Sequence, residues 1–190
     1  MKTSVSRLFF ALALILLAVP TVSFAGKNKY PNTLKTGVSY AWLSEYDSEG
    51  LMFYTNYNNY FGDRFAIGFN VGALNASRYD KAKQIYTVKN NFYMGSLDAT
   101  YDLLQNDMIT LRIGGGPALR HRGEVNANIV DGTPDGSVRH VRASDIGVNG
   151  YIENDFNFSR FGVMGGRVAY HHYSEGTPVF SLGFHVGFKF

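Results

Sequence analysis

Along most of the chain large apolar residues recur at every second position, separated by small or polar ones. The clearest run closes the sequence: Phe180, Leu182, Phe184, Val186, Phe188 and Phe190 alternate with Ser181, Gly183, His185, Gly187 and Lys189. Successive side chains of a strand point to opposite faces, so such a run gives one bulky face and one lean face. Runs of this kind, rich in Tyr, Phe, Val and Ile and bounded by Asn, Asp, Gly and Ser, predict eight strands at about 34–44, 50–61, 64–76, 89–104, 107–120, 138–157, 160–172 and 178–190. No window after Gly26 sustains the i, i+3, i+4, i+7 spacing of an amphipathic helix.

The links between these strands alternate in length. Those near Gly62-Asp63, Gln105-Asn106 and Phe158-Ser159 are tight, and those over 44–49, 75–89, 121–137 and 171–177 are long. Short turns on one rim and long loops on the other describe an up-and-down membrane barrel, with the long loops outside the cell. The expected fold is therefore all-β, an eight-stranded antiparallel up-and-down transmembrane β-barrel.

Alternation alone does not say which face is outside, since a soluble carrier barrel has its apolar face inward. Volume decides it. One face carries Val38, Tyr40 and Trp42, Phe65, Ile67, Phe69 and Val71, Tyr93, Leu97 and Tyr101, Ile109, Leu111 and Ile113, Ile146, Val148 and Ile152, and Leu182 to Phe188. The other carries Gly37, Ser39, Ala41, Ala66, Gly68, Gly72, Gly114, Gly116, Gly165, Gly183 and Gly187. An eight-stranded barrel has an interior just wide enough to be filled by side chains, which suits the lean face and not the bulky one. Asp98, Asp102, Arg112, Asp145, Glu153, Arg167, His185 and Lys189 share the lean face. Facing lipid at mid-depth, Arg or Lys would cost about 2–4 kcal/mol each, so these groups are expected inside and paired.

Register makes some pairs specific. A turn centred near Asn106 sets Arg112 opposite Thr100 and diagonal to Asp98 and Asp102. A turn near Ser159 or Arg160 sets Glu153 across from Gly165 or Arg167. Aromatic residues gather beside the short turns, at Tyr60, Phe61, Phe65, Phe156, Phe158, Phe161, Phe188 and Phe190, where barrels of this kind carry an aromatic girdle.

The start of the chain carries an address. Lys2 and Arg7, the apolar run Phe9–Val19, Pro20 and the small-residue site Ser23-Phe24-Ala25 form a cleavable secretory signal over residues 1–25, leaving one barrel domain over 26–190. The sequence has no cysteine, which excludes disulfides, thiolate metal sites, a cysteine nucleophile and a lipid-anchor cysteine. Without Lys2 and Arg7 the 18 basic residues fall to 16 against 15 acidic, a balance that argues against a nucleic-acid partner.

On these features the chain resembles the small outer-membrane β-barrels of the OmpX and OmpA transmembrane type, over almost all of its mature length. The terminal run Leu182, Phe184, Val186, Phe188, Phe190 is similar to the signal by which the barrel-assembly machinery recognises its clients. The resemblance implies insertion by that machinery through the strand ending on Phe190, a plugged interior, an outer-membrane location, and roles that range over adhesion, envelope stability and occasional lipid enzymology.

Candidate chemistry is sparse. His172 and Ser174 can share a face, as a base and a nucleophile for an ester must, and they faintly resemble the His-x-Ser segment of lipid A deacylase barrels. Glu175-Gly176 follows where that pattern has Asn and a small residue, and the last strand holds no acid to orient His172. His121, His140, His171 and His172 fall near the outer rim, but His171 and His172 point to opposite faces, so no metal site is expected. Arg120, His121 and Arg122 lead into the longest loop and Arg139, His140 and Arg142 lead out of it, where arginine forks suit the phosphates of lipopolysaccharide. That loop, with Asn126, Asn128, Asp131-Gly132 and Pro134-Asp135-Gly136, is expected to be mobile. Gly114-Gly115-Gly116 is followed by Pro117 and no helix, and reads as a place for close packing rather than phosphate binding. The reading is a non-enzymatic outer-membrane barrel with no catalytic, cofactor or metal site, acting in envelope integrity, adhesion or lipopolysaccharide contact; the alternative is a deacylase-like esterase using Ser174 and His172.

Overall fold

Side-chain oxygens set the short turns. Asn106 Oδ1 accepts from the amides of Met108 and Ile109 at 2.9 and 2.7 Å, and Ser159 Oγ accepts from that of Gly162 at 2.7 Å, each tying a side chain to the backbone it reverses. The computed structural model describes residues 31–44, 48–80, 85–130 and 133–190; the leader at 1–25 and Asp131-Gly132 lie outside them. Among these residues eight strands follow one another: β1 Asn32–Leu43, β2 Ser48–Tyr60, β3 Phe65–Asp80, β4 Ile85–Gln105, β5 Ile109–Val130, β6 Thr133–Asn157, β7 Gly162–Tyr173 and β8 Val179–Lys189. Each pairs antiparallel with the next, and β8 returns to β1 to close the barrel. Phe190 completes that seam, exchanging two main-chain hydrogen bonds of 3.0 Å with Asn32.

The expected faces hold. Trp42, Ile67, Leu97, Ile113, Ile152, Phe184 and their neighbours are exposed on the outer wall, while Asp98, Asp102, Arg112, Asp145, Glu153, Arg167 and His185 are buried in the lumen. Aromatic contacts gather at the short-turn rim, where Phe61 meets Phe65 and Phe188 meets Phe190 with ring centroids 5.2 and 5.5 Å apart. A second group, Tyr40, Trp42 and Phe180, stands toward the opposite rim.

Two expectations are corrected. Strands β3 to β6 run past their expected ends, and the segment read as a mobile loop over 121–137 is largely a hairpin, its ladder continuing to Ile129↔Pro134 and Val130↔Thr133. Asn126 and Asn128 do not break it, because pairing with the neighbouring strand overrides their turn preference: Asn126 stays in the ladder opposite Arg139, and the register shift between Ala127 and Ile129 takes up residue 128. The β4–β5 register is also later than a turn centred on Asn106 allows. Asn106 caps a turn that runs through Met108, and a bulge follows at Leu103, so Arg112 pairs with Asp102 and Thr100 with Gly114.

Candidate functional site

Near the short-turn rim the lumen is crossed by one ionic cluster. Arg112 donates through Nε to Asp102 Oδ1 at 2.7 Å and through Nη1 to Glu153 Oε1 at 2.8 Å and Asp155 Oδ2 at 3.1 Å. Its Nη2 donates to the Tyr60 hydroxyl, which donates to Asp102 Oδ2 at 3.1 Å. Lys35 donates to Glu153 and, at 3.1 Å, to Asp155 Oδ2. His185 Nε2 lies 2.7 Å from Asp155 Oδ1 and Nδ1 3.3 Å from the Tyr54 hydroxyl. The cluster joins side chains of β1, β2, β4, β5, β6 and β8, so it ties together walls that the ladders do not. Charges buried this deeply hold only when paired, and every charged side chain of the cluster has at least one partner of opposite sign or a hydrogen bond.

The expected pair of Arg112 and Asp102 is present. Glu153 does lie across from Arg167, but Lys35 and Arg112 take its carboxylate. Arg167 instead lays its guanidinium 3.7 Å from the ring centre of Tyr151 and 5.3 Å from that of Tyr54. Asp98 is buried without joining Arg112, its carboxylate oxygens accepting no hydrogen bond among the described residues.

A second cluster closes the long-loop end. The guanidinium of Arg120 sits between the rings of Phe92 and Tyr173, 4.7 and 4.1 Å from their centres. Its Nε and Nη2 donate to Asp145 Oδ2 at 3.1 and 2.9 Å, Nη1 to the Thr177 carbonyl at 2.7 Å and Nη2 to the Glu175 carbonyl at 2.6 Å. Arg122 pairs with Asp145 at 3.0 Å and Glu124 at 3.1 Å. The loop after β7 is thus held against the lumen. Gly176 turns there with φ 69°, a left-handed conformation that glycine takes without strain, and its Cα faces the guanidinium ends of Arg120 and Arg122.

This corrects the outer-rim reading, since Arg120 and Arg122 do not face lipopolysaccharide. Their parity follows from Arg112 through 114, 116 and 118 along an unbroken strand, a signal available once β5 is carried past residue 120. Of the same group His121 faces outward, its Nδ1 3.0 Å from Ser144 Oγ, and Arg139, His140 and Arg142 are exposed. His171 is buried and stacked on Tyr173 while His172 is exposed, so the rim histidines do not converge.

The described residues that could hold a metal ion are Glu153, Asp155 and His185, whose ligand atoms lie within 4.8 Å of one another. Lys35 and Arg112 already supply cations to both carboxylates, so the donor set is spoken for. Lys35 and Asp155 were not singled out by sequence, though they share parity with Gly37 and Glu153. His172 and Ser174 are both exposed, no hydrogen bond joins their side chains, and the Glu175 carboxylate leans toward Arg122 at 3.5 Å.

A closed ring of eight antiparallel strands, charged within and apolar without, is the arrangement that satisfies every main-chain ladder inside a bilayer. The chain has the fold of the small eight-stranded bacterial outer-membrane β-barrels. Three solved structures show the same fold. Neisserial surface protein A superposes with a TM-score of 0.64 at 11% identity, covering 84% of this chain and 97% of its own. The outer membrane protein OprG from Pseudomonas aeruginosa gives 0.59 at 10% identity over 88% and 99%. Ail, the attachment invasion locus protein of Yersinia pestis, in complex with the heparin analogue sucrose octasulfate, gives 0.57 at 12% identity over 84% and 97%. Neither a family model nor a curated protein matches the sequence.

Proposed function

We propose that this is a non-enzymatic outer-membrane protein that acts by contact at the cell surface, inserted through the C-terminal strand that ends on Phe190 after export by the leader at 1–25. The observation that carries the reading is the unequal height of the wall. The β5–β6 ladder continues to Val130↔Thr133, whereas the β6–β7 ladder stops at Gly147↔Tyr173 and the bond from Ser174 N to Ile146 O. Among the described residues, the free side of β6 below residue 146 therefore has no strand beside it. Because Ile146 turns its carbonyl to that side, Ser144, Arg142, His140 and Val138 turn their main-chain groups the same way. An open edge of this kind is a template for an extended segment of another protein.

The lumen supports the same reading, since ionic clusters cross it at two levels and leave contact, rather than passage, as the use of the barrel. Ail, an attachment protein solved with a sulfated polyanion, is in keeping with a surface role. The test compares the intact protein with one in which residues 123–142 are replaced by a two-residue turn, in a binding screen against outer-membrane lipid, matrix and cell surfaces. Binding that disappears with the hairpin supports the proposal; equal binding by both forms contradicts it. Acyl chains released from lipid A by the wild-type protein and not by Ser174→Ala would replace the reading with that of an esterase.

A further inference from the structure

With Arg120 and Arg122 turned into the lumen, the basic groups left on the outer wall form a compact patch. On β5 the outward residues above the apolar Leu119 are His121, Gly123 and Val125; their partners are Tyr93, Asn91 and Lys89 on β4 and Ser144, Arg142 and His140 on β6. The patch is therefore a three-strand field with Lys89, His140, Arg142 and His121 around a glycine. A Cβ on Gly123 would meet only the Asn91 carbonyl, at 3.8 Å, so the floor between Asn91 and Arg142 is open. Arg142 and His140 are exposed and make no hydrogen bond or ion pair among the described residues, and none of these nine positions is acidic.

Height gives the patch its meaning. A strand rising about 3.3 Å per residue and tilted about 45° climbs roughly 2.3 Å per residue. From Ile109 to Leu119 on β5, and from Phe156 to Ile146 on β6, the climb is then about 23 Å, close to the roughly 25 Å apolar band of such barrels. His121 stands about 5 Å above that band, within the headgroup layer that adds roughly 5–8 Å to each side of the hydrocarbon, Arg142 about 9 Å, at its outer edge, and His140 and Lys89 about 14 Å, above it. Tyr93 closes the patch from below with its ring on the outer wall. A cationic fork above an apolar wall fits an anion carried at the top of an acyl chain.

We infer that Arg142, His140, His121 and Lys89, grouped over Gly123 on the outer face of β4–β6, form a binding site for a phosphate of the outer-leaflet glycolipid, the phosphorylated disaccharide of lipid A. Arg142 presents a guanidinium to two phosphate oxygens, His121 is held through Nδ1 by Ser144, and the apolar wall beneath receives the acyl chain. The inference rests on the membrane placement proposed above and names a partner that placement alone does not.

The test uses the full-length barrel in nanodiscs and two probes, bis-phosphorylated lipid A and the same lipid with both phosphates removed, compared by competition titration. The wild-type protein is expected to prefer the phosphorylated form at least about tenfold, the loss of about one charge-assisted contact. The double variant Arg142→Gln, His140→Gln should bring the preference within about threefold, and 0.5 M salt should weaken it, since exposed charges are screened. Arg64→Gln, which removes a positive charge beside the β2–β3 turn, should leave it unchanged. Equal binding of the two lipids by the wild type, or a double variant that discriminates as well as the wild type, overturns the site. If the protein stays with carbonate-washed outer membranes and shows heat-modifiable migration in that case, the membrane reading survives; if carbonate releases it, both fall.

Discussion

A Cβ built on Gly114 would stand 2.5 Å from Cζ of Tyr151, its partner across the β5–β6 ladder, and one on Gly37 would stand 2.7 Å from Cζ of Tyr54 across β1–β2. The lumen glycines thus give the rings of neighbouring strands a place to lie. Gly114→Val is expected to destabilise the barrel by about 1–3 kcal/mol, as overpacking does, whereas Gly150→Ala, whose added carbon meets nothing within 4 Å, should leave urea unfolding in lipid vesicles almost unchanged. A larger loss is expected from Arg112→Gln. It leaves Asp102, Glu153 and Asp155 short of a cation in the buried cluster, at about 3–5 kcal/mol in the same measurement. The inward position of the charges was legible in their parity and in the cost of exposing them to lipid. The inward tyrosines were not: Tyr54, Tyr60, Tyr151 and Tyr173 are buried. A tyrosine is bulky enough to be read as wall and polar enough to serve inside, and a small residue facing it, Gly37 for Tyr54, Gly114 for Tyr151, Gly147 for Tyr173 and Ala66 for Tyr60, gives the ring room.

Strand by strand, parity carried further than length. The tight turns after β2, β4 and β6 were marked by their Gly, Asn, Asp and Ser residues, and the Glu153↔Arg167 register is one of the two that the last of them left open. The hairpin of β5 and β6 was hidden because Asn and Gly signal turns in a chain read alone, while pairing with a neighbouring strand overrides that preference. Contacts such as Lys35 with Glu153, 118 residues apart, could not be read at all. They depend on which strands face each other across the closed ring, a property of tilt and stagger rather than of any local pattern. The clamp that Arg120 places on the loop after β7 belongs to this scale. Arg120→Ala removes its bonds to the Glu175 and Thr177 carbonyls, so proteolysis in the 174–178 segment of the inserted barrel should become faster, while an unchanged cleavage rate would show that the loop holds itself.

For the molecule as a whole, function follows from what the wall faces. The ionic clusters at two levels predict no discrete conductance in planar bilayers, and a regular unitary current would show that the clusters open. The central claim is that the bulky face meets hydrocarbon and the charged face meets the lumen. The chain has no cysteine of its own, so single cysteines can be placed at will. Nitroxide labels at Phe184, Ile152 and Val148 on the outer wall, and at Ser39, Ser96 and Ser181 inside, report oxygen against water-soluble relaxation agents in lipid vesicles. High oxygen accessibility is expected for the first three and low accessibility to both agents for the second three; the reverse assignment would put the charged face against lipid and the bulky face in the lumen.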